Sequence, residues 1–329
     1  MSDCAVGIDI GGTKIAAGIV DSEGTVLATA RFPMAARGSA AEGLAAVQNA
    51  IRTVLAQKDA GHRLQGIGIC SPGPLDPKTG VVINPPNLPC WRNFPLAESV
   101  RREHGVPVKV ENDANAAALA EFKWGAGRGS RNVFYLCLGT GIGTGIVFDG
   151  EIYHGRTGAA GEGGHMGIDY NGPVCGCGKR GCIEVLASGP GIARRAQQKL
   201  AETPSRLLLE LSGGSADRLT SEMVGKACAQ GDPVARAVIE ETLDLLGYWL
   251  GNIVDLLEPH VIVMGGGVSS MLAPYLDGLR SRWHGRVINP WHDRIPVVLA
   301  RYGEEAGVAG AAALLTQASD GAIPSSRPA

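Results

Sequence analysis

At 329 residues the chain is long enough to bury a large core, and its length implies two domains. Its 30 Lys+Arg against 32 Asp+Glu leave a net charge of −2, which removes the electrostatic case for nucleic acid or an anionic membrane surface as partner. Aromatic residues make up only 5% while glycines number 48, a balance that favours an α/β protein with many close backbone approaches over a β-sandwich.

The opening residues, Met1–Gly12, carry Asp3, no basic cluster, and glycines where a signal peptide needs an apolar run. The most apolar helical stretch, Leu243–Leu257, is interrupted by Asp244, Asn252 and Asp255, so no membrane span is expected. These features imply a cytoplasmic protein, in which Cys4, Cys70, Cys90, Cys137 and Cys228 are reduced and mostly structural.

In chain order, Val6–Ile10 reads as a strand running into Gly11-Gly12-Thr13-Lys14, with a second strand at Ile15–Val20 and a third at Thr25–Ala30. The glycine turn thus joins two strands and opens no helix, which excludes a Walker A loop. Helical spacing follows at Ala41–Ala56, a buried strand at Leu64–Cys70, rigid Pro-rich loops at Ser71–Asp76 and Asn84–Pro95, and a strand at Val108–Glu111. A helix over Asn115–Glu121 is capped by Asn112 or Asp113. Val133–Leu138, Gly139–Gly145 and Ile146–Phe148 repeat the opening strand–turn–strand pattern, and over Val6–Val20 and Val133–Val147 seven of fifteen positions are identical. Such a repeat predicts a duplicated domain. Beyond it come helices at Gly191–Glu202 and Pro233–Leu257, a strand at His260–Met264 ending in Gly265-Gly266-Gly267, a helix from about Met271, a strand at Arg294–Ala300, and a small-residue helix at Gly307–Leu315. Ser319–Ala329 is polar and Pro/Ser-rich, and disorder is expected there.

Chemistry concentrates in four places. The turns around Thr13, Lys14 and Thr140, with Gly11, Gly12 and Gly141, can aim backbone N–H groups at phosphate oxygens. A tight hairpin with positive φ accounts for one such turn alone, whereas two in register, facing each other across a cleft, favour phosphate. Asp9 just before the first turn suits a hydrated Mg²⁺, and Gly265, Gly266 and Gly267 offer bare backbone to the flat ring of a nucleoside. In Glu111–Asn115, Asp113 either simply caps the helix or accepts the proton of a hydroxyl attacking a γ-phosphate, with Asn112 orienting that hydroxyl. Finally, His165, Cys175, Cys177 and Cys182 have the composition of a closed tetrahedral Zn²⁺ site. The alternatives are a disulfide, which Cys175-Gly-Cys177 forms poorly, or buried free thiols. Glu162 and Glu184 flank this cluster as surface charges or as acceptors for sugar hydroxyls, with His165 giving one ring nitrogen to the metal and the other to the sugar.

Together GIDIGGTK (7–14), ENDAN (111–115), LGTGIGTG (138–145), GEGGH (161–165), CGCGKRGCIE (175–184) and MGGGV (264–268) resemble the ROK family of sugar kinases and sugar-responsive repressors, over residues 6 to about 315. The resemblance implies an actin/hexokinase-like ATPase fold of two duplicated α/β lobes around a cleft. It implies a small lobe over residues 1–117, with a C-terminal helix near 304–318 packing back on it, and a large lobe over 118–303 holding a structural zinc. By the same resemblance Asp113 is the catalytic base, and Gly73, Asn87, Asn112, Asp113, Glu162, His165 and Glu184 hold the sugar. ATP with Mg²⁺ is the implied donor and a homodimer the implied assembly. Repressors of the family place a helix-turn-helix before the first strand, and a strand beginning at Val6 is expected to leave no room for one.

Within the kinase branch SPGPLDPKTGVVINPPNLPCW (71–91) is most similar to the glucokinases. Pro74 stands where N-acetylmannosamine kinases tend to carry Arg. The implied reaction is therefore glucose to glucose 6-phosphate. Kinases for N-acetylmannosamine, N-acetylglucosamine, mannose or fructose are alternatives within the class, and a non-catalytic sugar sensor is the alternative outside it. Gly163 and Arg301–Glu305 depart from the family pattern.

Overall fold

Strand β1 covers Ser2–Ile10, longer than its apolar centre because Ser2, Asp3 and Cys4 pair with His62, Arg63 and Leu64 of a parallel neighbour. In this computed structural model, which describes residues 2–316, the chain divides into two compact units. Of the described residues, 2–135, 145–161 and 300–316 form the first, and Leu136–Thr144 with Glu162–Leu299 the second. The tail at 319–329 lies outside the described residues.

The first unit is built on β1, β2 (Lys14–Asp21), β3 (Val26–Pro33) and β4 (His62–Ser71), with a two-residue hairpin of β5 (Leu75–Asp76) and β6 (Val81–Val82), and then β7 (Val108–Asn112). Its sheet runs β3-β2-β1-β4-β7, antiparallel across the hairpins and parallel from β1 through β4 to β7. Side chains alternate as a strand demands. Val6, Ile8 and Ile10 enter a core with Val47, Ile51 and Val54 of the helix Ala40–Leu55, which Ser39 and Glu42 close with a reciprocal capping box. Ala5 packs on the opposite face with Val308 and Ala309 of the helix Ala306–Ala313 and Leu119 of the helix Asp113–Lys123.

That second face is a backbone-to-backbone contact. A Cβ added at Gly7 would lie 2.0 Å from the Val308 carbonyl oxygen, and one at Gly68 only 1.7 Å from that of Ala311. Glycine is therefore a steric requirement in the centre of β1 and β4.

The second sheet has the order β10-β9-β8-β11-β12, from β8 (Asn132–Leu138), β9 (Ile142–Phe148), β10 (Glu151–Ile152), β11 (Val261–Gly265) and β12 (Val297–Leu299). As in the first sheet, an antiparallel pair lies at one edge and a parallel pair at the other. The unit boundary passes through β8 and β9. In the second unit the helix Pro233–Leu257 is opened by Asp232, whose side chain accepts from Ala235 N–H, and ended by Glu258 at φ 43° before Pro259. The helix after β11 begins at Gly267, four residues before the position that apolar spacing suggests, because Gly266 at φ +87° turns the chain at once. Among the described residues no helix is long and apolar enough to cross a membrane.

Substituting Gly68→Ala places a methyl carbon inside a carbonyl oxygen that cannot retreat without moving the helix. Urea denaturation should show a loss of at least about 2 kcal/mol, and an unchanged midpoint would contradict the packing described.

Candidate active site

In the first unit the parallel strands bring their C-terminal ends level. Asp9 pairs in register with Cys70 and Cys70 with Glu111, while Ser71 pairs with Asn112 one step further. The carboxyl ends of adjacent parallel strands are where α/β folds collect ligand-binding groups. The fully buried Cys70 thiol has two acceptors within reach of its one proton, Asp9 Oδ1 at 3.4 Å and the Gly307 carbonyl at 3.3 Å. Burial pushes the Asp9 carboxyl up, against the Cys70 hydrogen bond and the charge of Lys14, which lower it. Burial likewise pushes the Cys70 thiol well up, helped by the charges of Asp9 and Asp113.

Asn112 is the N-cap of the helix Asp113–Lys123, its side-chain oxygen accepting from Ala114 N–H (3.0 Å) and Asn115 N–H (3.3 Å). Asp113 is the exposed first helical residue, and its Oδ1 accepts from Ala114 N–H at 2.8 Å. Gly73 sits against Asn112, since a Cβ there would come within 3.8 Å of Nδ2. The turn Gly11–Thr13 is closed by Gly11 N–H donating to the Lys14 carbonyl at 2.9 Å, and Gly12 abuts Asn87, whose carbonyl oxygen lies 3.0 Å from where a Cβ would be. Asp9, Gly73, Asn87, Asn112 and Asp113 thus share this unit with the first glycine turn.

The second unit gathers the remaining candidates. Its turn is closed by Gly139 N–H to the Gly141 carbonyl (3.0 Å), and the Gly139 carbonyl accepts from Gly189 N–H (2.8 Å). Neither Gly11, Gly12, Gly139 nor Gly141 has positive φ, so hairpin geometry does not explain these glycines. Close approach accounts for Gly12, against Asn87, and for Gly141, where a Cβ would sit 2.6 Å from Glu184 Oε2, which accepts from Ile142 N–H at 3.0 Å; a Cβ on Gly139 would meet nothing within 4 Å. Thr140 and Gly139 also line a cavity of about 720 Å³ with Arg194, Gln197, Thr220 and Gly267. Of the three consecutive glycines, Gly265 ends β11 and is buried, Gly266 packs on the Leu138 carbonyl, and Gly267 faces the cavity. Arg194, Gln197 and Thr220 carry no sequence signal of their own, because the fold brings the helix Gly189–Glu202, which bears the first two, against Thr220, the N-cap of the helix Ser221–Ala229.

Glu162 is exposed and its carbonyl accepts from His165 N–H at 3.0 Å. Gly163 N–H donates to Thr144 Oγ1 at 2.8 Å, where a Cβ would also fall, so the Thr144 hydroxyl occupies the space of a side chain at 163. His165 Nδ1 lies 3.7 Å from both Cys175 Sγ and Glu184 Oε1. Cys177 and Cys182 Sγ are 3.6 Å apart, and all four ligand atoms of His165, Cys175, Cys177 and Cys182 lie within 4.8 Å of one another. A disulfide needs sulfurs about 2.05 Å apart, whereas tetrahedral Zn²⁺ with bonds of about 2.3 Å to sulfur spaces them near 3.8 Å. Burial and the neighbouring thiols push Cys182 up to about 12, a crowding that a divalent cation relieves. The donor set therefore fits zinc.

Both constellations, the carboxylate-bearing strand end with its glycine turn and the second turn beside the His-Cys₃ cluster, lie within a stretch that a known family model matches. The ROK family model covers residues 5–318, and the chain belongs to that family. It is 38% identical over 312 residues to a glucokinase from Streptomyces coelicolor, covering 94% of this chain and 96% of that one. A crystal structure of a ROK family glucokinase from Streptomyces griseus, in complex with glucose and AMPPNP, superposes with a TM-score of 0.79 at 38% identity over 94% of this chain and 98% of its own. A Vibrio cholerae N-acetylmannosamine kinase is 32% identical over 93% of this chain and 96% of its own length. The fold is accordingly the actin/hexokinase-like α/β fold.

Glu184→Ala removes the acceptor from Ile142 N–H beside the turn. We expect a loss of about 1–3 kcal/mol in urea unfolding, and a variant as stable as the parent would mean that this hydrogen bond does not hold the turn.

Proposed function

We propose that the chain is an ATP-dependent hexose kinase that phosphorylates the 6-hydroxyl of glucose. The observation that carries this reading is the similarity, over nearly the whole chain, to a glucokinase and to a structure holding glucose and AMPPNP. Asp113 is the general base. Its carboxylate takes the proton as the sugar oxygen forms its bond to the γ-phosphorus, and the bond from that phosphorus to the bridging oxygen breaks to release ADP. Phosphoryl transfer of this kind gains most from positioning and charge neutralisation, and the first helical residue behind a doubly bonded Asn112 cap is a well-held place for a base.

Gly73, Asn87, Asn112, Glu162, His165 and Glu184 hold the sugar. The ATP phosphates take donors from Gly11, Gly12, Thr13, Lys14, Thr140 and Gly141, and the nucleoside lies along Gly265–Gly267, a reading supported by a cavity of suitable size beside Gly267. Asp9 is the carboxylate for Mg²⁺, whose positive charge would offset the burial that now disfavours its ionised form; the metal neutralises phosphate charge when bound. Zinc on His165, Cys175, Cys177 and Cys182 is structural and holds His165 for the sugar. The enzyme works in the cytoplasm as a homodimer. The second reading, a kinase for N-acetylmannosamine, is favoured by the Vibrio cholerae relative.

Asp113→Asn keeps the shape and removes the base. Its kcat should fall by about 10²–10⁴-fold while glucose Kd by calorimetry stays unchanged; near-parental turnover would mean that the base is elsewhere. Cys177→Ala should lose zinc, by elemental analysis, together with sugar affinity, while nucleotide binding survives. Zinc lost with glucose KM unchanged would leave the cluster a purely architectural task.

A further inference from the structure

Glu111 is the one carboxylate beside Asp113 that the phosphoryl-transfer reading does not use. It is only 3% exposed, and a buried carboxylate must have its oxygens filled by donors. Oε1 accepts from Asn112 N–H at 2.9 Å and from Asn115 Nδ2 at 3.1 Å, which ties it to the residues on either side of Asp113. Oε2 is 2.6 Å from His154 Nε2, and because an ionised carboxylate only accepts, the imidazole is the donor. The same histidine works through its backbone. Its carbonyl accepts from Gly158 N–H (3.1 Å) and Ala160 N–H (3.3 Å), closing the loop that leads to Gly161. A Cβ at Gly158 would meet the Pro77 ring at 2.7 Å, so this loop packs on the turn between β5 and β6.

We propose that His154 is a positioning residue for the base: through Glu111 it fixes Asn112 and Asn115 around Asp113, and through its carbonyl it holds the loop ending at Gly161. The inference rests on the kinase reading only in naming Asp113 as the base. Glu111 and Lys78 are the charged groups that act on the imidazole. Asp76, on the same turn as Lys78, is committed to Lys78 N–H (3.0 Å) and the Thr79 hydroxyl (2.7 Å). The Glu111 hydrogen bond raises the His154 pKa, burial opposes it, the Glu111 charge adds to the rise and Lys78 subtracts; the net direction is upward. A histidine raised in the folded state contributes stability that is complete below the unfolded value of about 6.5 and is lost as pH climbs through the folded value.

The test compares parental protein with His154→Ala and His154→Gln, the latter keeping an N–H donor on a side chain of similar reach. His154→Ala should lower kcat roughly tenfold or more with sugar and ATP KM within about twofold, and His154→Gln should recover most of it. Alanine turning over at the parental rate, or glutamine no better than alanine, would overturn the proposal. Amide hydrogen exchange at Asn112–Asn115, Gly158 and Ala160 reads the brace without any sugar: protection should drop in His154→Ala and return in His154→Gln. If the parental protein phosphorylates no sugar, the kinase reading fails while this measurement still decides the brace. Should His154→Ala not fold, NMR titration of the parental protein decides, since a His154 imidazole titrating at or below its ordinary value, or unmoved by Glu111→Gln, would refute the pairing.

Discussion

The helix Ala306–Ala313 lies against β1 and β4 with carbonyl oxygens where two Cβ atoms would otherwise be. That contact tolerates only glycine at positions 7 and 68, and it also explains the small residues of the helix itself, whose Gly310 touches the Ala116 backbone. Once helix and strands are this close, the ends of β1, β4 and β7 have no freedom to slide. Asp9, Cys70 and Glu111 then stand in one register across the sheet, and Asp113 follows two residues later. Glu121 completes the clamp, its Oε1 accepting from Arg301 N–H at 2.8 Å and Tyr302 N–H at 3.1 Å just before that helix begins.

Buried carboxylates sort themselves by how completely they are supplied with donors. Glu111 and Glu121 each accept from three separate donors, and they hold backbone in place. Asp9 has one weak thiol donor and the more distant charge of Lys14, and burial pushes its carboxyl up. A carboxylate left in that state is the one with capacity to gain from a cation or a phosphate-bound metal. In the second unit Glu184 is divided: Oε2 serves the turn through Ile142, and Oε1 faces His165 and Cys175. One side chain thereby joins the glycine turn to the thiol cluster.

What was legible from sequence was whatever is local along the chain. Gly-Thr turns between apolar runs, the short spacing from Cys175 to Cys182, and a polar cap before Ala114 are each set by neighbours within a few residues, and the structure places strands, cluster and cap there. The repeat between Val6–Val20 and Val133–Val147 falls on two strand–turn–strand units, β1 with β2 and β8 with β9, each in its own five-stranded sheet, although the two turns are closed by different hydrogen bonds. Short helices such as Leu96–His104 bury only Leu96 and Val100, a single i, i+4 pair, and end before the spacing can repeat. The bond between His154 and Glu111 joins residues 43 apart, and the cavity wall collects Arg194, Thr220 and Gly267 from three segments. Neither has a local pattern. The two departures from the family pattern have tertiary reasons: Thr144 fills the space beside Gly163, and the buried Tyr302 donates its hydroxyl to the distant Gly24 carbonyl at 2.9 Å.

The central claim is that the strand-end carboxylates and the glycine turns serve phosphoryl transfer to a hexose. Coupled ADP release from Mg-ATP, measured over glucose, mannose, fructose, N-acetylglucosamine and N-acetylmannosamine, tests it most directly. The account predicts sugar-dependent ADP release with the highest kcat/KM on glucose. Faster turnover of an N-acetylated sugar would move the substrate within the family, and no ADP release with any of the five would contradict the account.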